Sequence, residues 1–324
     1  MIHLRPIALA AAVLTVAALA ACGTGTDEAA STTAARGASF PRTIEHAMGK
    51  TTIPKQPKRV VVLDTAEADA VTLLGVKPVG AVAVDPVGKT YPAHLRQKLD
   101  GVPDVGPLDE PNADKIVALK PDLILSSKVR HEKGYAQLSR IAPTVFSESP
   151  GAAWKENIAL FASALGLERE ATEAVTGYER RAKAIGEQIK KKSGGTMPTF
   201  SVVRFVDGPT RLYQPASFNG VVLADLGARR PASQQDSKEL IKEIGPELID
   251  QADADYVFVC TYGDPAKSQQ KAFLGSPLWA RLDAVKQNRV TTVSDDTWML
   301  GIGVQGAHLL LDDIAKATGV DPER

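Results

Sequence analysis

Apolar and polar positions along residues 59–127 follow two rhythms in turn. RVVVLD (59–64) is a continuous apolar run, the pattern of a strand covered on both faces. TAEADAVTLLG (65–75) then spaces its apolar residues as a helix does and closes on a glycine. VGAVAV (79–84) predicts a second strand. PNADKIVALKPDLILSS (111–127) reads as helix, proline and strand, and YAQLSRIAPTVFSE (135–148) repeats that order. Strands alternating with helices at this spacing predict a parallel sheet with helices on both faces.

The rhythm then changes. WKENIALFASALGLEREATEAVTGYERRAKAIGEQIKKK (154–192) carries almost no strand signal. Gly166 divides it, and the second helix, about Glu168 to Lys192, spans about 36 Å at 1.5 Å per residue. After Gly194 and Gly195 the α/β pattern resumes. TFSVVRFV predicts a strand, FNGVVLADLGA (218–228) a helix, and GPELIDQADADYVFVC (245–260) a helix and strand. SPLWARLDAVKQNRVTTVSDDTW (276–298) reads as short helix, strand and loop. GAHLLLDDIAKATG (306–319) closes the chain as a helix, with Asp312 and Asp313 turned to water. The expected fold is α/β: two lobes joined by one long connector helix, with a ligand cleft between them at the carboxyl ends of strands.

The N-terminus changes the picture of where this happens. Arg5 precedes an apolar run, Ile7 to Ala21, of signal-peptide length and too short to span a bilayer comfortably. It ends in Leu19-Ala20-Ala21-Cys22, the pattern of a lipobox whose cysteine is acylated. The other reading is a plain secretory signal with Cys22 left free. Residues 23 to about 40 are small and polar, a flexible tether. The expected divisions are a signal peptide (1–21), Cys22 and tether (22–44), an N-terminal lobe (45–165), the connector (166–194) and a C-terminal lobe (195–324). The charge balance, 38 basic against 38 acidic residues, argues against nucleic acid as a partner. Cys260, in the strand-like YVFVC, reads as a buried small hydrophobe.

Candidate chemistry is sparse. No GxSxG, HExxH, phosphate loop or CxxC occurs, and the five histidines (3, 46, 94, 131, 308) are scattered, so neither an enzyme nor a bare-metal binder is expected. Arg204 is the anomaly: a guanidinium inside the apolar run SVVRFV. Burying it requires an acceptor. That acceptor is Asp207 or another carboxylate of the fold, or a ligand from outside.

HAMGKTTIPKQPKRVVVLD, IVALKPDLILSS, the connector and NRVTTVSDDTW, in this order over roughly 45–318, resemble the binding proteins of ABC importers for iron–siderophore complexes, haem and cobalamin. SVVRF and TRLYQPASFNGVVLADLGARRP resemble the branch for ferric hydroxamates such as ferrioxamines. The resemblance implies a monomeric, extracytoplasmic, lipid-anchored protein with no cofactor. It would capture a ferric siderophore and deliver it to a permease and its ATPase, the siderophore holding the iron. It implies ligand contacts from Arg204, Tyr213, Tyr262, Trp298 and Trp154, with Arg130 a candidate in the first lobe and Trp279 left to the core. It implies permease docking through Asp114 and Glu247. The chain departs from some hydroxamate binders in having Leu108, not arginine, before DEPN. A haem or cobalamin ligand is the alternative, with His131 or Tyr135 as the axial ligand of a haem.

Overall fold

The computed structural model describes residues 39–83 and 91–324. The expected signal peptide, Cys22 and the expected tether as far as residue 38 therefore lie outside the described residues. In chain order the elements are β1 (Arg42–His46), β2 (Gly49–Ile53), β3 (Val60–Val62), α1 (Thr65–Leu73), β4 (Gly80–Ala83), β5 (Asp104–Pro107), α2 (Ala113–Ala118), β6 (Leu123–Ser127), α3 (Lys128–His131), α4 (Tyr135–Ile141), β7 (Thr144–Ser147), α5 (Trp154–Leu165) and α6 (Glu168–Lys192). They continue with β8 (Phe200–Phe205), β9 (Thr210–Tyr213), α7 (Phe218–Asp225), β10 (Ile241–Ile244), β11 (Tyr256–Thr261), α8 (Gln270–Leu274), α9 (Asp283–Lys286), β12 (Val290–Thr292), α10 (Asp295–Trp298) and α11 (Val304–Thr318).

The first lobe is a parallel sheet of order β5-β4-β3-β6-β7. The second has order β10-β9-β8-β11-β12, and only the pairs β8–β11 and β11–β12 are parallel. Its β9 and β10 return as an antiparallel meander, which the local pattern did not foretell. The hairpin β1–β2 is a second departure. It starts at Arg42, inside the stretch expected to be tether, because Ile44 and Ile53 are buried in the core. GPELIDQA, expected as an α-helix, forms 3-10 turns kinked at Leu248.

Side-chain alternation in the strands shows why both sheets need cover on both faces. Val60, Val62, Leu123 and Leu125 face the central core, while Val61, Leu63 and Ile124 face a separate outer cluster. In the second lobe Phe200, Val202 and Phe258 face the central core, and Val203, Phe205 and Val257 face outward under Phe273 and Trp279. The central core is continuous across both lobes through α1, α5, α6, α7 and α11.

The connector α6 runs from Glu168 to Lys192, acidic in its first turn and basic in its last, the order that suits its dipole. Gly186 lets it lie against the end of α7, since a Cβ there would collide with the Leu226 backbone. The last helix closes the back of the molecule. Asp69 of α1, fully buried, accepts from the backbone N–H groups of Gln305 (3.3 Å) and Gly306 (3.4 Å) at the start of α11, and from His94 (3.2 Å). Gly303, with φ 147°, leaves room for that carboxylate. Asp312 and Asp313 are not solvated as expected: Asp312 pairs with Arg181 and Arg324, and Asp313 accepts from the Trp298 indole.

Candidate functional site: a cleft of paired arginines

The carboxyl ends of strands from both lobes meet at a cleft of about 430 Å³. Asp64 follows β3, Arg130 follows β6, Arg204 is next to last in β8, and Tyr262 follows β11. Asp109 and Leu108 complete the first lobe's wall, and Asp207, Arg211 and the apolar Met299, Leu300 and Ile302 the second's. A wider cavity of about 880 Å³ adjoins it on the first lobe, sharing Asp109 and Arg130.

Arg204 has found its acceptor inside the fold, and it is Asp295 rather than Asp207. Nε and Nη2 each donate to one carboxylate oxygen at 2.6 Å, a bidentate pair. Nη1 donates to the Tyr213 hydroxyl at 3.0 Å, and the guanidinium sits 4.8 Å from the centre of the Tyr262 ring. Burial alone would lower the Arg204 pKa; the Asp295 bond and then Tyr213 outweigh it, so the net shift is upward and the group stays charged. Arg130 donates from Nε to Asp64 at 2.9 Å. Arg211 faces Glu243 across the β9–β10 ladder at 3.5 Å. Asp295 and Asp64 had not been singled out in the sequence. An arginine in an apolar run signals that a carboxylate exists, but not which one.

The aromatics divide differently from expectation. Tyr262, 37% exposed, lines the cleft beside Arg204. Tyr213 is buried behind Arg204 and supports it. Trp298 is a correction: it is fully buried, stacks on Phe258 at 4.5 Å, and gives its indole N–H to Asp313 at 2.9 Å. Trp154 is a second correction, packed in the core edge-on against Tyr178 and Phe218. Trp279 is buried under the second sheet, as expected. Asp114 and Glu247 are exposed on separate lobes, away from the cleft residues.

The haem reading loses its axial histidine. His131 has both ring nitrogens engaged, Nδ1 with the Ser126 hydroxyl and Nε2 with the Leu108 carbonyl, each at 2.6 Å. Burial lowers its pKa. Tyr135 packs between His46 and Phe146. Among the described residues no group of three or more His, Cys, Asp or Glu has metal-binding geometry. No helix of the described residues is long and apolar enough to cross a membrane.

Behind Asp64 lies an unusual acid. Glu67, in the first turn of α1, is fully buried, and neither carboxylate oxygen has a hydrogen-bond partner among the described residues. Burial first, then the Asp64 charge, pushes it from 4.5 up to about 8. The native state therefore holds this proton more tightly than the unfolded chain. That contribution is complete below pH 4.5 and is lost as pH rises through about 8. Glu67→Gln is expected to be more stable than the parent at pH 8.5 by about 1 kcal/mol or more, a few degrees in Tm. The gap should narrow toward pH 5 in thermal melts; a pH-independent gap would contradict a protonated Glu67.

Residues 60–297 match the periplasmic binding protein family over most of the chain. The chain belongs to that family. The chain is similar to a probable siderophore-binding lipoprotein, YfiY, of Bacillus subtilis, 40% identical over 285 residues, covering 84% of this chain and 86% of that one. The achromobactin-binding periplasmic protein of Dickeya dadantii is 34% identical over 268 residues, covering 82% of this chain and 87% of that one. The crystal structure of Staphylococcus aureus SirA complexed with staphyloferrin B superposes with a TM-score of 0.80 at 35% identity, covering 87% of this chain and 99% of that one. The family bears out the expected two-lobed fold and a binding protein rather than an enzyme.

Proposed function

We propose that this protein captures an iron(III)–siderophore complex outside the cytoplasm and hands it to an ABC permease driven by its ATPase. Residues 45–165 and 195–324 act as the lobes, 166–194 as the connector, and Cys22 as the lipid attachment point. The observation that carries the reading is the convergence of Arg130, Arg204 and Arg211 on one cleft at the strand ends, with Tyr262 as a flat apolar surface beside them. The iron-bound oxygens of a siderophore are partly negative and accept from such donors. The siderophore completes the iron's coordination, so the protein needs no metal ligands of its own. Relatives named for siderophore and achromobactin binding, and one solved with staphyloferrin B, support the same ligand class. Within it, a hydroxamate complex such as ferrioxamine or ferrichrome remains our reading of the cleft. Asp114 and Glu247, one exposed carboxylate per lobe, dock the loaded protein on the permease.

The test is calorimetric titration of the purified protein with ferrichrome, ferrioxamine B, ferric citrate and haem in parallel. Saturable binding of a ferric complex is expected, with no Soret band from haem. A Soret band with no response to the other three would sink the proposal. In cells, Glu247→Arg should keep ligand binding and lose uptake, and Cys22→Ala should release the protein from the membrane fraction. Undiminished uptake, or retained membrane association, would remove the corresponding role.

A further inference from the structure

Every arginine that faces the cleft has a carboxylate of the fold at its back. Arg204 has Asp295 at 2.6 Å, Arg130 has Asp64 at 2.9 Å, and Arg211 has Glu243 at 3.5 Å. Two of these counter-ions are interior groups: the side chains of Asp295 and Asp64 are 10% and 4% exposed. The pairing answers a local difficulty. Arg204 and Arg211 stand directly opposite each other in the β8–β9 ladder, where like charges repel. Asp295 reaches Arg204 from the first turn of α10, and Glu243 reaches Arg211 from β10, so each charge is compensated from outside the pair.

Donor counting shows what is left for a ligand. A guanidinium carries five N–H groups. Arg204 uses one at Nε, one at Nη2 and one at Nη1 on Asp295 and Tyr213, which leaves two. Arg130 uses one, at Nε, on Asp64. Arg204 and Arg130 thus line the cleft from both lobes with donors not used within the fold, while their positive charge is matched by paired carboxylates. Asp109 and Asp207 on the same walls add further negative charge.

We propose that Asp295 and Asp64 are specificity-determining residues, which neutralise Arg204 and Arg130 from behind and so bias the cleft toward ferric complexes of little net charge and against polyanionic ones. The proposal rests on the reading of this chain as a ferric-siderophore binder. A neutral trihydroxamate needs hydrogen-bond donors for its oxygens and gains little from a net positive field. A ferric polycarboxylate gains most from uncompensated cations, and an Asp behind each arginine denies it that attraction.

The experiment titrates the protein, Asp295→Asn and Asp64→Asn with ferrichrome, a neutral complex, and ferric citrate, an anionic one, at two salt concentrations. The parent should favour ferrichrome. Each substitution keeps the shape of the carboxylate and removes its charge. Each should shift the ratio of the two Kd values at least tenfold toward ferric citrate and steepen the salt dependence of that probe alone. A purely structural role would weaken both probes in parallel, and that result overturns the proposal. An unchanged ratio, or a parent that favours ferric citrate, does so too. Should Asp295→Asn fail to fold, Asp64→Asn on the opposite wall decides. A parent that binds neither probe refutes the reading of the cleft as a hydroxamate site and takes this inference with it; a parent that binds with an unmoved ratio refutes the inference alone.

Discussion

Arg204→Ala is expected to weaken ferric-complex binding at least tenfold, about 1.4 kcal/mol, and to lower folding stability by about 3–5 kcal/mol. The two effects have different origins. The affinity loss follows from removing a guanidinium that lines the cleft and keeps two donors unused within the fold. The stability loss follows from Asp295, whose interior carboxylate is left without its bidentate partner. A double-mutant cycle separates them. Arg204→Ala with Asp295→Ala should recover much of the stability in denaturant titrations, because both charges leave together, but none of the affinity. A single mutant that melts early yet binds as tightly as the parent would reduce Arg204 to a structural ion pair.

Trp298→Ala is the other large expectation. It should cost about 3–5 kcal/mol in chemical denaturation, the range for emptying a buried aromatic site. The indole stacks on Phe258 and its N–H satisfies Asp313, a carboxyl whose pKa burial already raises. Trp298→Phe should be milder, keeping the stack while releasing Asp313. Calorimetry under conditions where the variant is folded should find ligand affinity within about twofold of the parent's, a difference of about 0.4 kcal/mol. A tenfold loss of affinity from folded Trp298→Phe would return this ring to the ligand site.

The contrast between these two residues shows what the sequence could and could not convey. Arg204 was legible because an arginine in an apolar strand is a physical anomaly at one position, independent of the rest of the fold. Trp298 was not, because its location depends on one helical turn. In α10, Asp295 and Trp298 are three apart and share a face. Asp295 meets Arg204, whose ladder neighbour is Cys260, while Trp298 lands two residues deeper on the same strand, on Phe258. The turn descends from the cleft into the core, so its first residue belongs to the site and its last to the packing.

The same distinction holds for the fold. The parallel strands other than β5, with α1, α5 and α6, announced themselves through local periodicity, and α6 occupies the span its pattern indicated. The β1–β2 hairpin and the β9–β10 meander did not, because what makes them strands is a partner rather than their own spacing. Asp64 likewise looks like any helix cap in sequence. It does cap α1, accepting from the Thr65 N–H, and its second oxygen is then free for Arg130, sixty-six residues away.

The last helix carries a consequence for how the chain reaches its native state. α11 packs on α1, α6, α7 and α10, and its buried Leu310, Leu311 and Ile314 belong to the same core as Val71 and Ile185. Synthesis from the N-terminus therefore produces an N-terminal half whose apolar back stays wet until the final stretch of polypeptide arrives. The order of emergence and the order of stabilisation are opposed: the earliest helices wait for the latest one. A product that stops before residue 304 would contain every cleft residue described above, with the back of that cleft uncovered, and would be a substrate for proteases and aggregation before it was a binding protein.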